Sequence, residues 1–359
     1  MPKLSDRALA GLAAALVLAG AARADEPGAG KTPAIEAAIT DAQRAQAVPG
    51  LSAAVMAHGV LWTKGFGESD IENHVAAKPE TLYRLASLSK PITAVAVMQL
   101  AERGQLSLDQ DVRSYVPSFP KKQWPVTVRQ LLAHLGGIRH YQGDEWGSTR
   151  RYVSVLEGLD VFKDDPLVHE PGTEYLYSTH GYSLLAAVVE AVSHQRFTDY
   201  LRENVFAPAS MEKTRDDDGR AILEGRAQGY VRLPDGRVRN SEPADTSYKL
   251  GGGGLLGTAA DLARFGAAFL DGRLVRPETR AAMLTKQKTR AGRALGYGLG
   301  WTLGDGEQPG EVWHTGAQQR VSTVLYLRPG PGTVVALLAN LEDARALDLA
   351  RRIADLAQP

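Results

Sequence analysis

Ser87 and Lys90, in the stretch Tyr83-Arg84-Leu85-Ala86-Ser87-Leu88-Ser89-Lys90-Pro91, are residue types whose spacing allows chemistry. A serine hydroxyl attacks a carbonyl only when a base removes its proton, and a residue three positions on along a helix lies over the same face. Pro91 sets the phase, because proline is tolerated only in the first turn of a helix. The helix is therefore expected to start near Ser87, where unpaired N–H groups and the positive end of the dipole suit a developing oxyanion. The run Ile92–Ala101 is apolar on nearly every face, which predicts a buried helix, and burial disfavours the charged form of Lys90 and would let it act as a base. The same spacing recurs at Ser118-Phe119-Pro120-Lys121 and Ser210-Met211-Glu212-Lys213. Pro117 and Pro120 make the first a loop, and the second follows Pro208 with no long apolar run behind it and reads as surface. On spacing alone, a polar first turn on a core helix remains the other reading of Ser87 and Lys90.

Two further stretches carry candidate groups. Tyr177, in Pro171–Tyr182, stands in a turn ahead of a buried helix; near a lysine, a tyrosine can act as phenolate or proton shuttle, and otherwise it is a core residue with a satisfied hydroxyl. His314-Thr315-Gly316 lies on an expected strand, where glycine admits close approach of a ligand or backbone and the strand edge can hold an acyl substrate by main-chain hydrogen bonds. His314 alone reads first as a satisfied strand histidine.

The elements that must position these groups follow from periodicity and turn chemistry. Residues 34–47 have helical spacing, stopped at Pro49-Gly50, and Leu51–Ala57 with Val60–Phe66 form a hairpin across His58-Gly59. Thr127-Val128-Arg129-Gln130 is a capping box, and its helix is expected to end at Gly136-Gly137. Gly181–His194 is a second buried helix. Strands return at Tyr297–Leu303, Val312–Thr315, Ser322–Leu327 and Thr333–Asn340, and a helix over Asp343–Leu356 closes the chain. Strands at both ends with helices between them predict an α/β fold of the α+β type, an antiparallel sheet built from both chain ends with an inserted mainly helical lobe. The charged, aromatic insertion 138–170 is expected over the site mouth.

Composition narrows the function. The chain has no cysteine, which excludes thiol catalysis, disulfides and zinc–thiolate sites. Its eight histidines form no H-E-x-x-H pair, and 41 basic residues balance 41 acidic ones, so nothing draws it to nucleic acid or an anionic membrane. Lys3 and Arg7 precede the apolar stretch Ala8–Ala22, and Ala22-Arg23-Ala24 fits signal-peptide cleavage before Asp25. Export to the periplasm or medium is thus expected, with no permanent membrane anchor, since the stretch is shorter than the roughly 20 residues a spanning helix needs. An organellar transit peptide is the other reading of this segment. Residues 25–33 read as a flexible leader and 34–359 as the domain that carries these candidate groups.

Ser87-Leu88-Ser89-Lys90, Tyr177-Ser178-Thr179 and His314-Thr315-Gly316 stand in the order of the three motifs of penicillin-recognising serine hydrolases, and the chain resembles their class C β-lactamase and D-peptidase (S12-type) branch. Leu131–Tyr141, Tyr177–Glu190 and Ser247–Thr258 are most similar to the mitochondrial serine β-lactamase-like proteins and their bacterial relatives. The resemblance implies a β-lactamase/transpeptidase-like fold, Ser87 as acylated nucleophile, Lys90 and Tyr177 as proton-transfer pair, and the N–H groups of Ser87 and Ala317 as oxyanion hole. It further implies that Thr179, His314, Thr315 and Gly316 line the substrate, a small molecule, peptide or ester, without cofactor or metal. The chain departs from the pattern at Thr179, where asparagine is usual, and at His314, where true β-lactamases have lysine. A neutral histidine does not pair with a β-lactam carboxylate, so a peptidase is expected first, then an esterase or weak β-lactamase. A sensor that acylates without turnover or an assembly-forming scaffold is the reading from another class. A His314 with the ordinary pKa near 6.5 would regain part of the missing charge in mild acid.

Overall fold

The computed structural model describes residues 31–304 and 310–358. The expected signal peptide and most of the leader lie outside them. Among the described residues no helix is long and apolar enough to cross a membrane.

The chain ends meet in one antiparallel sheet of seven strands, in the spatial order Val75–Ala76, Val60–Asp70, Gly50–Ala57, Thr333–Ala339, Val321–Arg328, Val312–Gln318, Thr302–Leu303. Its middle joins the two ends of the chain, with Leu51 opposite Ala339 and Met56 opposite Val334. Thr333–Ala339 is buried at every residue, because helices cover both faces of the sheet and leave no side for polar alternation. Ile35, Ile39, Ile353 and Ala354 of the terminal helices Thr32–Ala45 and Leu347–Leu356 fill one face. The other face rests on the helix Ala259–Leu270 and the helical lobe, in a core that runs through Ile92, Val95, Leu185 and Phe265. Gly266 allows this contact, since a Cβ there would stand 2.6 Å from a Val334 methyl.

Several expected bounds shift for local reasons. The closing helix begins at Leu347 rather than Asp343, whose left-handed backbone (φ 61°) interrupts it. The capping box forms at Thr127 and Gln130, but its helix stops at Leu132, ahead of a left-handed His134 (φ 58°), not at Gly136. Only Thr302–Leu303 of the expected strand 297–303 pairs in the sheet, because the chain reverses at Gly298–Trp301, where the Gly298 N–H donates to the Trp301 carbonyl. Gly300 takes φ +90° in that reversal and lies against Ala94 of the nucleophile-bearing helix, closer than any Cβ would permit.

Candidate active site

Ser87 stands in a single 3-10 turn, Ala86–Leu88, that runs straight into the α-helix Ser89–Glu102. Ala86, buried just ahead of it, has φ +50°, a conformation that costs a non-glycine residue energy and persists where surrounding packing imposes it. Packing comes from both sides: the Leu85 N–H donates to the Leu255 carbonyl, and Tyr83–Arg84 pairs with Leu255–Gly257. A buried ion pair of 2.7 Å between Arg84 and Asp217 anchors the approach to the turn.

Lys90 is fully buried, with Nζ 3.0 Å from Ser87 Oγ, 3.1 Å from Thr179 Oγ1 and 2.7 Å from the Gly252 carbonyl oxygen. A neutral amine has two N–H groups and one lone pair. Donation to Gly252 and Thr179 leaves the lone pair directed at the serine proton. Burial, aided by the nearby charge of Lys249, holds the Lys90 ammonium well below its ordinary range. Tyr177 places its ring centroid 4.7 Å from Lys90 Nζ and hydrogen-bonds to Ser87. Burial raises its phenol far above the usual value despite that bond, so the neutral phenol is present and the phenolate reading is set aside.

The helix Thr179–Ser193 follows, capped by Ser178, whose hydroxyl accepts the Gly181 N–H. Two histidines hold this N-terminus. His134 Nδ1 accepts from the Ser178 N–H at 3.1 Å, and His140 Nδ1 from the Thr179 N–H at 3.3 Å. Accepting at Nδ1 fixes both rings as neutral Nε2–H tautomers. Burial agrees, lowering His134 well below its ordinary value and His140 to about 4. Thr179, expected to line the substrate, is instead buried against Lys90, where its hydroxyl orients the amine.

The strand Val312–Gln318 forms the opposite wall. His314, Gly316 and Gln318 point inward and Thr315 and Ala317 outward to solvent. A Cβ on Gly316 would stand 2.3 Å from Thr323 Oγ1 and 2.7 Å from the Leu85 carbonyl oxygen, so glycine permits the strand to press against the nucleophile turn. Beyond Trp313 the short strand Thr302–Leu303 ends, and among the described residues Thr315–Ala317 has no strand partner on that side. His314 is buried, with Nε2 3.1 Å from the Tyr297 hydroxyl and Nδ1 2.7 Å from its neighbour's carbonyl oxygen. Burial, with Lys90 adding to it, lowers His314 to about 3, which corrects the expectation of a charge gained in mild acid. A cavity of about 550 Å³ lined by Tyr175, Arg293, Leu295, Tyr297 and Thr302 opens beside it.

Part of the 138–170 insertion does border the site. Buried Arg139 ties it together through Glu145 at 2.7 Å, Asp165 at 2.6 Å and the Val161 carbonyl oxygen at 2.9 Å. Tyr141 hydrogen-bonds to Thr179 and Tyr248, and Gln319 donates to the Trp146 carbonyl oxygen. Residue-by-residue reading missed His134, His140, Gly252 and Lys249 as parts of the site. The glycine run 251–254 was the available signal for Gly252: a Cβ on Gly251 would stand 2.5 Å from the Tyr182 carbonyl oxygen, and one on Gly252 2.7 Å from that of Thr179. Ser118 lies in a turn and Ser210 on the surface, neither with a lysine hydrogen bond.

Comparisons with known proteins agree with this geometry. Residues 35–358 match the family described as Beta-lactamase. The chain is 29% identical to the human mitochondrial serine beta-lactamase-like protein LACTB, over 85% of this chain and 76% of that protein. Penicillin-binding protein 4* of Bacillus subtilis is 28% identical, over 79% of this chain and 66% of that protein. Among solved structures, the octameric penicillin-binding protein homologue from Pyrococcus abyssi superposes with a TM-score of 0.78 at 27% identity, over 90% of this chain and 76% of that one. The D-amino acid amidase from Ochrobactrum anthropi shares the fold, with a TM-score of 0.78 at 23% identity over 91% of this chain and 98% of that one.

Proposed function

The chain belongs to the Beta-lactamase family of serine hydrolases, and from that premise we propose that it is a peptidase that cleaves a peptide or related amide through an acyl-enzyme on Ser87. The observation that carries this reading is the contact of Ser87 Oγ, at 3.0 Å, with a buried lysine nitrogen whose other partners are a carbonyl and a hydroxyl. Neutral Lys90 takes the serine proton as Oγ adds to the carbonyl. The N–H groups of Ser87 and Ala317 receive the oxyanion. Tyr177 gives its phenolic proton to the departing amine as the C–N bond breaks, and Lys90 returns the serine's proton to Tyr177. Water then enters by the reverse sequence and releases the acyl group. The unpartnered main chain of Thr315–Ala317 favours an amide substrate, since an extended peptide can add to it as a strand.

A fluorophosphonate is expected to add one phosphonyl mass to Ser87 and none to Ser118 or Ser210. Labelling that persists in Ser87→Ala would overturn the assignment. Turnover on peptide, D-peptide, ester and β-lactam panels then tests the substrate class, and a stable acyl adduct with every substrate would point to a sensor instead. We further propose export with cleavage after Ala24, which N-terminal sequencing of the native protein checks: an intact Met1 or Pro2 rejects it.

A further inference from the structure

His314 is neutral and committed to Tyr297, so it leaves no charge for an anionic substrate. A different cation stands in the site. Lys249 has no exposed surface, and among the described residues its nitrogen has no hydrogen-bond partner. Three ring centroids surround that nitrogen, Tyr141 and Trp146 at 5.1 Å and Tyr248 at 5.3 Å. Ring faces favour an ammonium but supply no acceptor. Gln318, next after Ala317 on the site strand, is also buried, and its Nε2 has no partner among the described residues. Both side chains converge on Gly253. The position of a Cβ there is 3.5 Å from Gln318 Oε1, 3.7 Å from Lys249 Cδ and 3.8 Å from the Ala86 carbonyl carbon, one residue before the nucleophile. Two unpaired donors beside a nucleophile are costly unless an acceptor arrives.

The side of the site is also defined. Ring contacts among the described residues fall into two walls, Tyr175, Tyr177, Tyr297, His134 and His314 on one side and Tyr141, Trp146, Tyr248 and His180 on the other, joined through His140. Tyr177 hands its proton to the leaving group on the first wall, so the acyl portion faces the second. We propose that Lys249 and Gln318 form a subsite for a carboxylate on the acyl side of the substrate, so that the enzyme prefers acyl groups bearing an anion a few bonds from the scissile carbonyl. Trp146, 38% exposed, gives this subsite its solvent side.

The charge state fits such a role. Burial draws the Lys249 ammonium down to about 7, with Arg84 adding to the effect and Asp217 and Asp245 opposing it. The other titratable groups facing it are Lys90, His140 and His180, each pushed toward its neutral form by burial, and the phenols Tyr141 and Tyr248, which burial keeps protonated. The carboxylate preference is therefore strongest below pH 7 and declines above it.

The inference rests on acyl transfer at Ser87, and its test separates the two. Release of nitrophenolate is followed for 4-nitrophenyl hydrogen glutarate and for its methyl ester, which differ only in the distal charge. The expected ratio of acylation rates favours the free acid, and Lys249→Met lowers that ratio roughly ten- to hundredfold, as loss of a charge-assisted hydrogen bond does. Lys249→Arg retains part of it, and Gln318→Leu lowers it by less. Because both esters are measured on one protein, loss of folded enzyme cancels in the ratio. Release above the enzyme-free rate of each ester that survives Ser87→Ala overturns the proposed function. Release that depends on Ser87, with no preference in wild type or the same ratio in Lys249→Met, overturns the carboxylate subsite alone.

Discussion

An arginine at position 90 would keep a cation beside Ser87 but could not give up its proton, so Lys90→Arg separates a base from a mere positive neighbour. Both Lys90→Arg and Lys90→Ala are expected to lower kcat/KM by about 10²- to 10⁴-fold, the range of a lost general base. Near-wild-type rates with arginine would mean that charge, not proton transfer, is needed. The direction of the Lys90 shift also fixes the sign of the pH profile. Burial lowers this amine far below its ordinary value, so activity is already present near neutrality and falls as acid protonates it, and Lys249→Met should move that acid limb to higher pH. Ser87 and Lys90 could be read from the sequence because their relation is local, three residues on one turn. The contact of Thr179 with Lys90 and the places of His134 and His140 could not, because their bonds join segments about 40 to 90 residues apart. The charge of His314 was misjudged for a different reason. Alternation along Val312–Gln318 puts it on the inward side with Val312, and the burial that follows sets its pKa.

Between the nucleophile turn and its neighbours the contacts are backbone to backbone, which makes glycines rather than side chains the exacting positions. Gly316→Ala must displace the site strand from Leu85, and Gly252→Ala must push the turn carrying Lys90's acceptor carbonyl away from Thr179. Each is expected to cost about 1–3 kcal/mol of stability, as overpacking does. Each should also slow phosphonate labelling of Ser87 more than tenfold in protein shown by circular dichroism to be folded. Labelling at the wild-type rate would mean that the two walls tolerate separation. Helices with apolar runs and the hairpin across His58-Gly59 were readable because their signals are periodic. The helix Ala259–Leu270 passed unread although Thr258 and Asp261 mark its start, because the preceding glycines obscured the boundary. The reversal at Gly298–Trp301 was equally hidden, since Gly300 is fixed by Ala94, some 200 residues earlier.

The molecule as a whole holds several histidines neutral, and that links its stability to acid. His140 at about 4 and His314 at about 3 lie below the unfolded value near 6.5, so the unfolded chain takes up protons first as pH falls. Their stabilisation is complete above about 6.5 and is lost as pH drops through about 4 and then 3, with a slope of up to about 1.4 kcal/mol per pH unit for each group. The melting temperature is therefore expected to be lower at pH 5 than at pH 7.5, and His140→Asn should flatten the difference. Equal melting temperatures at both pH values would contradict neutral buried histidines. The sheet made from both chain ends was foreseeable from where the strands fall in the sequence, whereas the Arg139 network that binds the lobe was not, since ion-pair partners carry no periodicity. That sheet has a temporal side. Gly50–Ala57 is made long before its neighbour Thr333–Ala339, so the growing chain must wait for that later strand before the central pairing can form. A chain halted before Val321 already holds Ser87, Lys90, Tyr177 and His314, yet it should remain unreactive toward a phosphonate until the strands Val321–Arg328 and Thr333–Ala339 are supplied.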